Sequence, residues 1–238
     1  MNINRAEIKL QARMIVGNSK PSMLTAGLIY TLLSAVMGWL SLRLTGIDSQ
    51  TMTKAMSAYT EGNFELTLNI LSRAMPSGSE SLLDFLLRLA LTVVSVGFCI
   101  FTLNTIRNTN PQLGNLLDAF GMLGKTVLLI LLQYLLIFLW SCLLIIPGVI
   151  AAYRYSLAYY VLIDHPEMSP LECLRESKRL TQGYKKELFY LDLSFILWLL
   201  LISLPVVGYA VQVFVMPWYE TSRAMYYEVI RHRDGMMV

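Results

Sequence analysis

Four stretches of this chain, residues 22–42, 82–106, 126–163 and 188–219, are almost continuously apolar. A helix needs about 20 such residues to cross a hydrocarbon layer of roughly 30 Å, and helices in a soluble core rarely stay apolar for so long. In lipid every backbone N–H and C=O must be satisfied within the chain, so such segments form helices or a closed barrel, and barrel strands would show short alternating runs instead. The expectation is an all-α polytopic transmembrane helical bundle. Composition agrees, with 55% hydrophobic and 15% charged residues over 238 positions, where a soluble domain carries about 25% charged residues.

Two of the stretches are too long for one crossing and carry helix breakers, Pro147 with Gly148 and Pro205 with Gly208. Proline removes a helical hydrogen bond and clashes with the preceding turn. Two readings follow: tight hairpins, giving crossings at 126–146, 149–163, 188–204 and 206–222, or two kinked long helices. Charge favours the hairpins. With about six crossings, fourteen of the nineteen basic residues fall on the side of the termini. The other side has Arg43, Lys54 and Arg73, and Arg88 with Arg154 lies inside crossings. By the positive-inside rule both termini are cytoplasmic, in a cell (inner) membrane. The first apolar run follows a polar segment and is long enough to span, unlike a cleavable signal peptide.

Each pair of crossings is preceded by a candidate amphipathic helix on the cytoplasmic face. The best punctuated is SPLECLRESKRLTQG, with Ser169 at the N-cap, Pro170 at the first helical position, Glu172 completing a capping box and Gly183 as the stop. RMIVGNSK (13–20) and RLTQGYKK (179–186) match at Arg, Gly and Lys, and LLDAFGMLGK (116–125) is a weaker third copy. The chain therefore reads as a single membrane domain, 1–238, with a three-fold internal repeat: 1–106, 112–163 and 169–222. The first unit holds an outer insert, 43–80. There Met52, Ala55, Met56 and Tyr59, then Phe64, Leu68, Leu71 and Met75, recur at helical spacing and predict two short helices over the outer surface.

Ionisable residues at membrane depth are costly and attract functional hypotheses. Arg154 and Asp192 are a candidate intramembrane pair. Asp84 and Arg88, one turn apart, are a candidate pair at the outer interface. Arg13, Lys20, Arg175, Lys178, Arg179, Lys185 and Lys186 are candidate contacts for anionic lipid headgroups or a partner. Membrane lipids at the cytoplasmic face, a membrane-protein partner or a second copy are the partners expected, and nucleic acid is not. Cys99, Cys142 and Cys173 are isolated, so neither a disulfide framework nor a metal site results. No nucleophile elbow, Walker loop or HExxH is present, which argues against an enzyme and leaves no catalytic residue or cofactor to assign.

Residues 145–198, with the IPG turn, YRYSLAYYVLID, SPLECLRESKRLTQG and LFYLDLSFILW, resemble a bacterial, mainly Gram-positive, integral membrane protein family catalogued as domain of unknown function 975. RAEIKLQARMIVGNSK looks like that family's N-terminus, and membrane domains accompanying glycerophosphodiesterases are more distantly similar. The resemblance implies a polytopic membrane location and no activity. The role expected is a non-catalytic scaffold or accessory subunit of machinery handling lipids or peptides. Alternatives are a small transporter or lipid-handling protein with a polar cavity near Arg154 and Asp192, and an immunity or stress-protection protein using residues 43–80.

Overall fold

Long apolar runs broken by short polar links give helices over nearly all the residues described. The computed structural model describes residues 5–45, 49–73, 78–202, 204 and 207–233, and no strand occurs among them. In chain order the helices are α1 (Arg5–Asn18), α2 (Met23–Thr45), α3 (Ser49–Thr60), α4 (Phe64–Arg73), α5 (Gly78–Arg107), α6 (Asn115–Asp118), α7 (Leu123–Leu143), α8 (Ile145–Tyr155), α9 (Ala158–Asp164), α10 (Pro170–Leu180), α11 (Lys185–Leu193), α12 (Ile196–Ile202) and α13 (Val207–Arg233). A 3-10 turn, Ala119–Met122, joins α6 to α7. Two compact units result, Met1–Thr31 with Thr92–Val238, and Leu32–Leu91.

Four segments, Met23–Ser41, Leu82–Arg107, Asn115–Leu143 and Ile145–Asp164, are long and apolar enough to cross a membrane. They overlap four of the six expected crossings, with the start of the third and the turn after it displaced toward the N-terminus. The turn between the third and fourth lies at Leu144, whose backbone is extended (φ −163°, ψ 152°), and not at Pro147–Gly148. Pro147 is the third residue of α8, in the first turn, where its missing N–H has no intrahelical partner to lose. Gly148 then lets the two helices close, since a Cβ there would stand 2.9 Å from the Ser141 Cα. Lys125 Nζ donates to the carbonyls of Pro166 and Glu167 at the other end. The order of these contacts makes α7 and α8–α9 an antiparallel hairpin and not one kinked helix.

α11–α12 and α13 form a second hairpin, but its limbs depart from the expected crossings. The first limb, expected as 188–204, breaks between α11 and α12 at Ser194 and Phe195. The second, expected as 206–222, is one helix that continues to Arg233. Contacts run in opposite order along the limbs: Gly208 lies against the Ile202 carbonyl, Phe195 packs edge-on to Trp218 at 4.8 Å, and Tyr226 donates to Glu187 at 3.1 Å. Pro205, read as the breaker of this turn, lies outside the described residues.

The helix before the last hairpin is also seated differently from the expectation. α10 carries the capping box, Ser169 N donating to Glu172 Oε2 at 2.7 Å and Glu172 N to Ser169 Oγ at 3.4 Å. Gly183 takes a left-handed φ of +87° beyond its end. One side of α10 is not interfacial but buried, with Cys173, Leu174, Ser177 and Leu180 at 0–2% exposure. The weak third copy, 116–125, comprises most of the short α6, its 3-10 turn and the first three residues of α7.

In the smaller unit α3 and α4 form a tight helical pair, with Asn63 Oδ1 capping α4 through Leu66 N at 3.0 Å. Tyr59 meets Phe64 edge-on at 5.5 Å. Met52, Met56 and Leu68 remain exposed, and the side chain of Leu71 and residue Met75 lie outside the described set. Arg88 Nε bonds Asp84 Oδ2 at 2.7 Å, and Ser41 joins both from α2.

Candidate functional site

α5, α8–α9 and α13 run in one direction. Cys99 and Tyr160 reach Glu220 at 3.9 and 3.4 Å, and further on Arg107, two turns past Cys99, and Asp164, one turn past Tyr160, reach Glu228 and Arg231 at the same end of α13. That end is an ionic clamp. Arg107 is the first charge after the apolar run of α5, and Asp164 is the last residue of α9. The guanidinium grips the carboxylate with two bonds, Nη1 to Oδ1 at 2.6 Å and Nη2 to Oδ2 at 3.0 Å. Arg107 Nε also donates to Glu228 Oε1 at 2.7 Å. Arg231 Nη1 stands 3.1 Å from Asp164 Oδ2, and the Tyr227 hydroxyl donates to the same oxygen at 2.7 Å. Asp164 retains 4% side-chain exposure, so its charge is held by these donors and not by water. Burial, and then the Asp164 carboxylate beside it, push the Tyr227 hydroxyl well above its ordinary value and keep it a donor.

Further along α13 lies a second polar group. Asp192 accepts from the Tyr219 hydroxyl at 3.1 Å, and Arg223 Nη1 donates to that hydroxyl oxygen at 3.0 Å. Tyr160, which donates to Glu220, stacks on Tyr227 at 5.2 Å and so links Glu220 to the clamp. The expected Arg154–Asp192 pair does not form. The Arg154 guanidinium lies over Trp140 at 5.7 Å. A cation lies near it: burial, and then repulsion from Arg154 and Lys178, lower the Lys185 ammonium. Arg154 and Asp192 are on limbs of different hairpins, and tyrosines fill the space at Asp192.

The Arg154 backbone shows what α10 does. The helix of residues 145–164 is interrupted at Ser156–Leu157, which frees a carbonyl and an amide in a buried place. Ser177 Oγ donates to Arg154 O at 3.0 Å and accepts from Leu157 N at 3.2 Å, and Thr181 Oγ1 adds a bond to Arg154 O at 3.2 Å. Ser177 and Thr181 are fully buried, so the polar middle of the best-punctuated helix satisfies a break in its neighbour.

The basic residues singled out earlier are dispersed. Arg175, Lys178 and Lys186 are exposed on α10 and the start of α11. Arg179 is half exposed and pairs with Glu176 at 2.7 Å. Lys20 borders a groove of about 460 Å³ with Asn108 and Pro111. Arg13 lies on α1 beside Trp218.

Sequence reasoning passed over Glu220, Arg223 and the four clamp charges. Spacing held a signal for the last: Tyr227, Glu228 and Arg231 recur within one turn, and Arg107 and Asp164 each end a long apolar run. Ser177 and Thr181 gave none, because their roles arise from a break in another helix.

No curated protein and no solved structure matches the chain, and the more distant likeness to glycerophosphodiesterase-associated domains has no counterpart in these comparisons. Residues 142–234, which run from the α7–α8 turn to the end of α13 and supply the break, its α10 seat and three of the four clamp charges, match the family described as "Protein of unknown function (DUF975)".

Proposed function

We propose that the protein is a non-catalytic scaffold or accessory subunit of membrane machinery handling lipids or peptides, embedded by about six crossings in the cytoplasmic membrane with both termini inside. One observation carries this reading. Only 17% of the most apolar window in Asn115–Leu143 is covered within the chain, against 56% for Leu82–Arg107. Tyr134, Leu135, Phe138 and Leu139 form an exposed stripe along α7, at the spacing of one helix face. Lipid or another membrane helix covers such a stripe. The charges at the clamp support the same reading, because Arg107 pairs with Asp164 and Glu228, and Arg231 with Asp164, so that they bind helix ends together. A transporter would keep such groups for its cargo.

A photo-crosslinking residue at Phe138, in cells, tests the proposal. Discrete protein adducts that also form at Leu135 and vanish at the buried Leu129 are expected. Adducts to lipid alone at every stripe position would overturn it.

A further inference from the structure

On α1 three cations stand one turn apart, Arg5, Lys9 and Arg13. Arg5 and Lys9 each meet the last hairpin, and Arg13 borders the same groove. Arg5 lies over the Tyr190 ring at 4.9 Å. Lys9 Nζ donates to Ser194 O at 3.3 Å and Ser194 Oγ at 3.1 Å, and lies over Phe195 and Trp218 at 4.2 and 5.0 Å. Between α1 and the hairpin runs a groove of about 570 Å³ bordered by the three cations, Tyr190 and Trp218. It continues past Arg13 and Trp218 into a second, apolar compartment of about 380 Å³ bordered by Leu24, Trp198, Phe214 and Val215. None of the described residues lining either compartment is acidic.

We infer that this groove binds one anionic phospholipid, its phosphate at Lys9 and the flanking arginines and an acyl chain along Trp198 and Phe214. Lys9 by itself has a simpler role, since its ammonium caps the carbonyl end of α11, where the helix dipole is negative. That role leaves Arg5 and Arg13 unexplained, a turn away on either side. It also leaves a half-buried ammonium with no carboxylate among its described contacts. Burial lowers the Lys9 ammonium, and a phosphate beside it would oppose that shift. The apolar compartment selects a lipid over free phosphate. Its direction fits as well, because Phe214 lies on the side of Trp218 toward the α12–α13 turn and away from the clamp. A head at Lys9 and a chain toward Phe214 therefore follow α13 inward from the clamp end.

The inference rests on the membrane location proposed above and not on the scaffold role. Crosslinks from Phe138 can fail while lipid selection persists, and the reverse, so the two failures are distinguishable. The full chain with Trp39→Phe and Trp140→Phe keeps Trp198 and Trp218 as reporters. It is placed in phosphatidylcholine vesicles containing graded phosphatidylglycerol, with bromine on the chains of one lipid or the other. Preferential quenching by brominated phosphatidylglycerol of about fivefold or more is expected, a factor in line with one basic contact to an anionic lipid.

Lys9→Gln with Arg13→Gln should bring the preference to about one. Lys9→Arg with Arg13→Lys should keep it, as should Lys185→Gln with Lys186→Gln. If the first pair fails to fold, Arg5→Gln with Arg13→Gln, which leaves the Lys9–Ser194 bonds in place, carries the same expectation. Equal quenching by both lipids in the parent overturns the inference, as does an unchanged preference in the glutamine variants. Abolition of the preference by millimolar inorganic phosphate would assign the site to phosphate and overturn the lipid.

Discussion

Replacing Asp164 by asparagine keeps the shape of the side chain and removes the charge on which four donor atoms converge. Removing one partner of a buried ion pair costs roughly 3–5 kcal/mol, because the other charge is left behind in a place with little water. Three features of the clamp point to the lower end. Arg107 keeps Glu228, the Arg107 and Arg231 side chains are 25% and 24% exposed, and the amide oxygen still accepts one bond. A loss of about 3 kcal/mol is therefore expected, which for a chain of this size lowers the unfolding midpoint by roughly 6–12 °C. Tryptophan fluorescence during unfolding in mixed micelles measures it, and a cycle with Arg231→Gln isolates the pair, with a coupling of about 1 kcal/mol or more. Asp84→Asn is the comparison. Its partner Arg88 is 69% exposed, so solvent already screens that pair and no measurable loss is expected. Equal behaviour of Asp164→Asn and Asp84→Asn, or strict additivity with Arg231→Gln, would refute the clamp as a stabilising unit.

Ser177→Ala strands the Leu157 amide in a fully buried site, so a loss of about 1–3 kcal/mol is expected in the same assay; a neutral result would mean that the break has another partner. Burial raises the Cys173 thiol from its ordinary 9.0 to about 11, so it should resist maleimide in the folded protein and react on unfolding. The sign of the linkage also follows: the folded state holds the thiol proton that the unfolded state releases, so stability should fall as pH rises from about 9 toward 11, and Cys173→Ala should make that slope shallower. For orientation, Glu167→Cys and Ile145→Cys are suitable probes, with side chain and residue exposures of 69% and 80%. Glu167→Cys should label only from the cytoplasm and Ile145→Cys only from outside, and the opposite pattern would invert the proposed topology.

Much of the fold was legible because it follows from period and punctuation. The apolar runs gave the four spanning helices, and Ser169, Pro170 and Glu172 gave the start of α10. What stayed hidden depended on partners far away in sequence. Asp192 was expected to seek the nearest opposite charge, yet Tyr219 reaches it first because the last hairpin is antiparallel. The polarity of SPLECLRESKRLTQG invited an interfacial reading, since nothing in 145–164 announces the interruption that Ser177 and Thr181 satisfy. Pro147 was taken for the turn itself, although its tolerance in the first helical turn moves the reversal back to Leu144.

The helices that precede the crossings pack in a fixed order. α6 lies on α5 of the first unit, where Leu116 joins a core with Phe98 and Phe101. α10 lies on α9, satisfying Arg154 and Leu157. α1 lies on α13, where Trp218 Nε1 donates to Lys9 O at 2.9 Å. α6, α10 and α1 thus seat on α5, α9 and α13, and those three helices meet at the clamp. In such a ring every seat bears on closure, and the α5–α6 seat has the least room to adjust. A Cβ at Gly97 would stand 2.0 Å from the Leu116 carbonyl oxygen and 2.5 Å from its carbon. Both are backbone atoms, so neither can swing away as a side chain would. Gly97→Ala should therefore push α6 off α5 and cost at least about 2 kcal/mol, more than the usual penalty of overpacking by one methyl where side chains can yield. Gly124→Ala, on α7 with no atom within 4 Å of the new methyl, should be neutral or slightly stabilising through helix propensity. A Gly97→Ala chain that unfolds with the parent would show that α6 is not a seat and that the ring is open at that point.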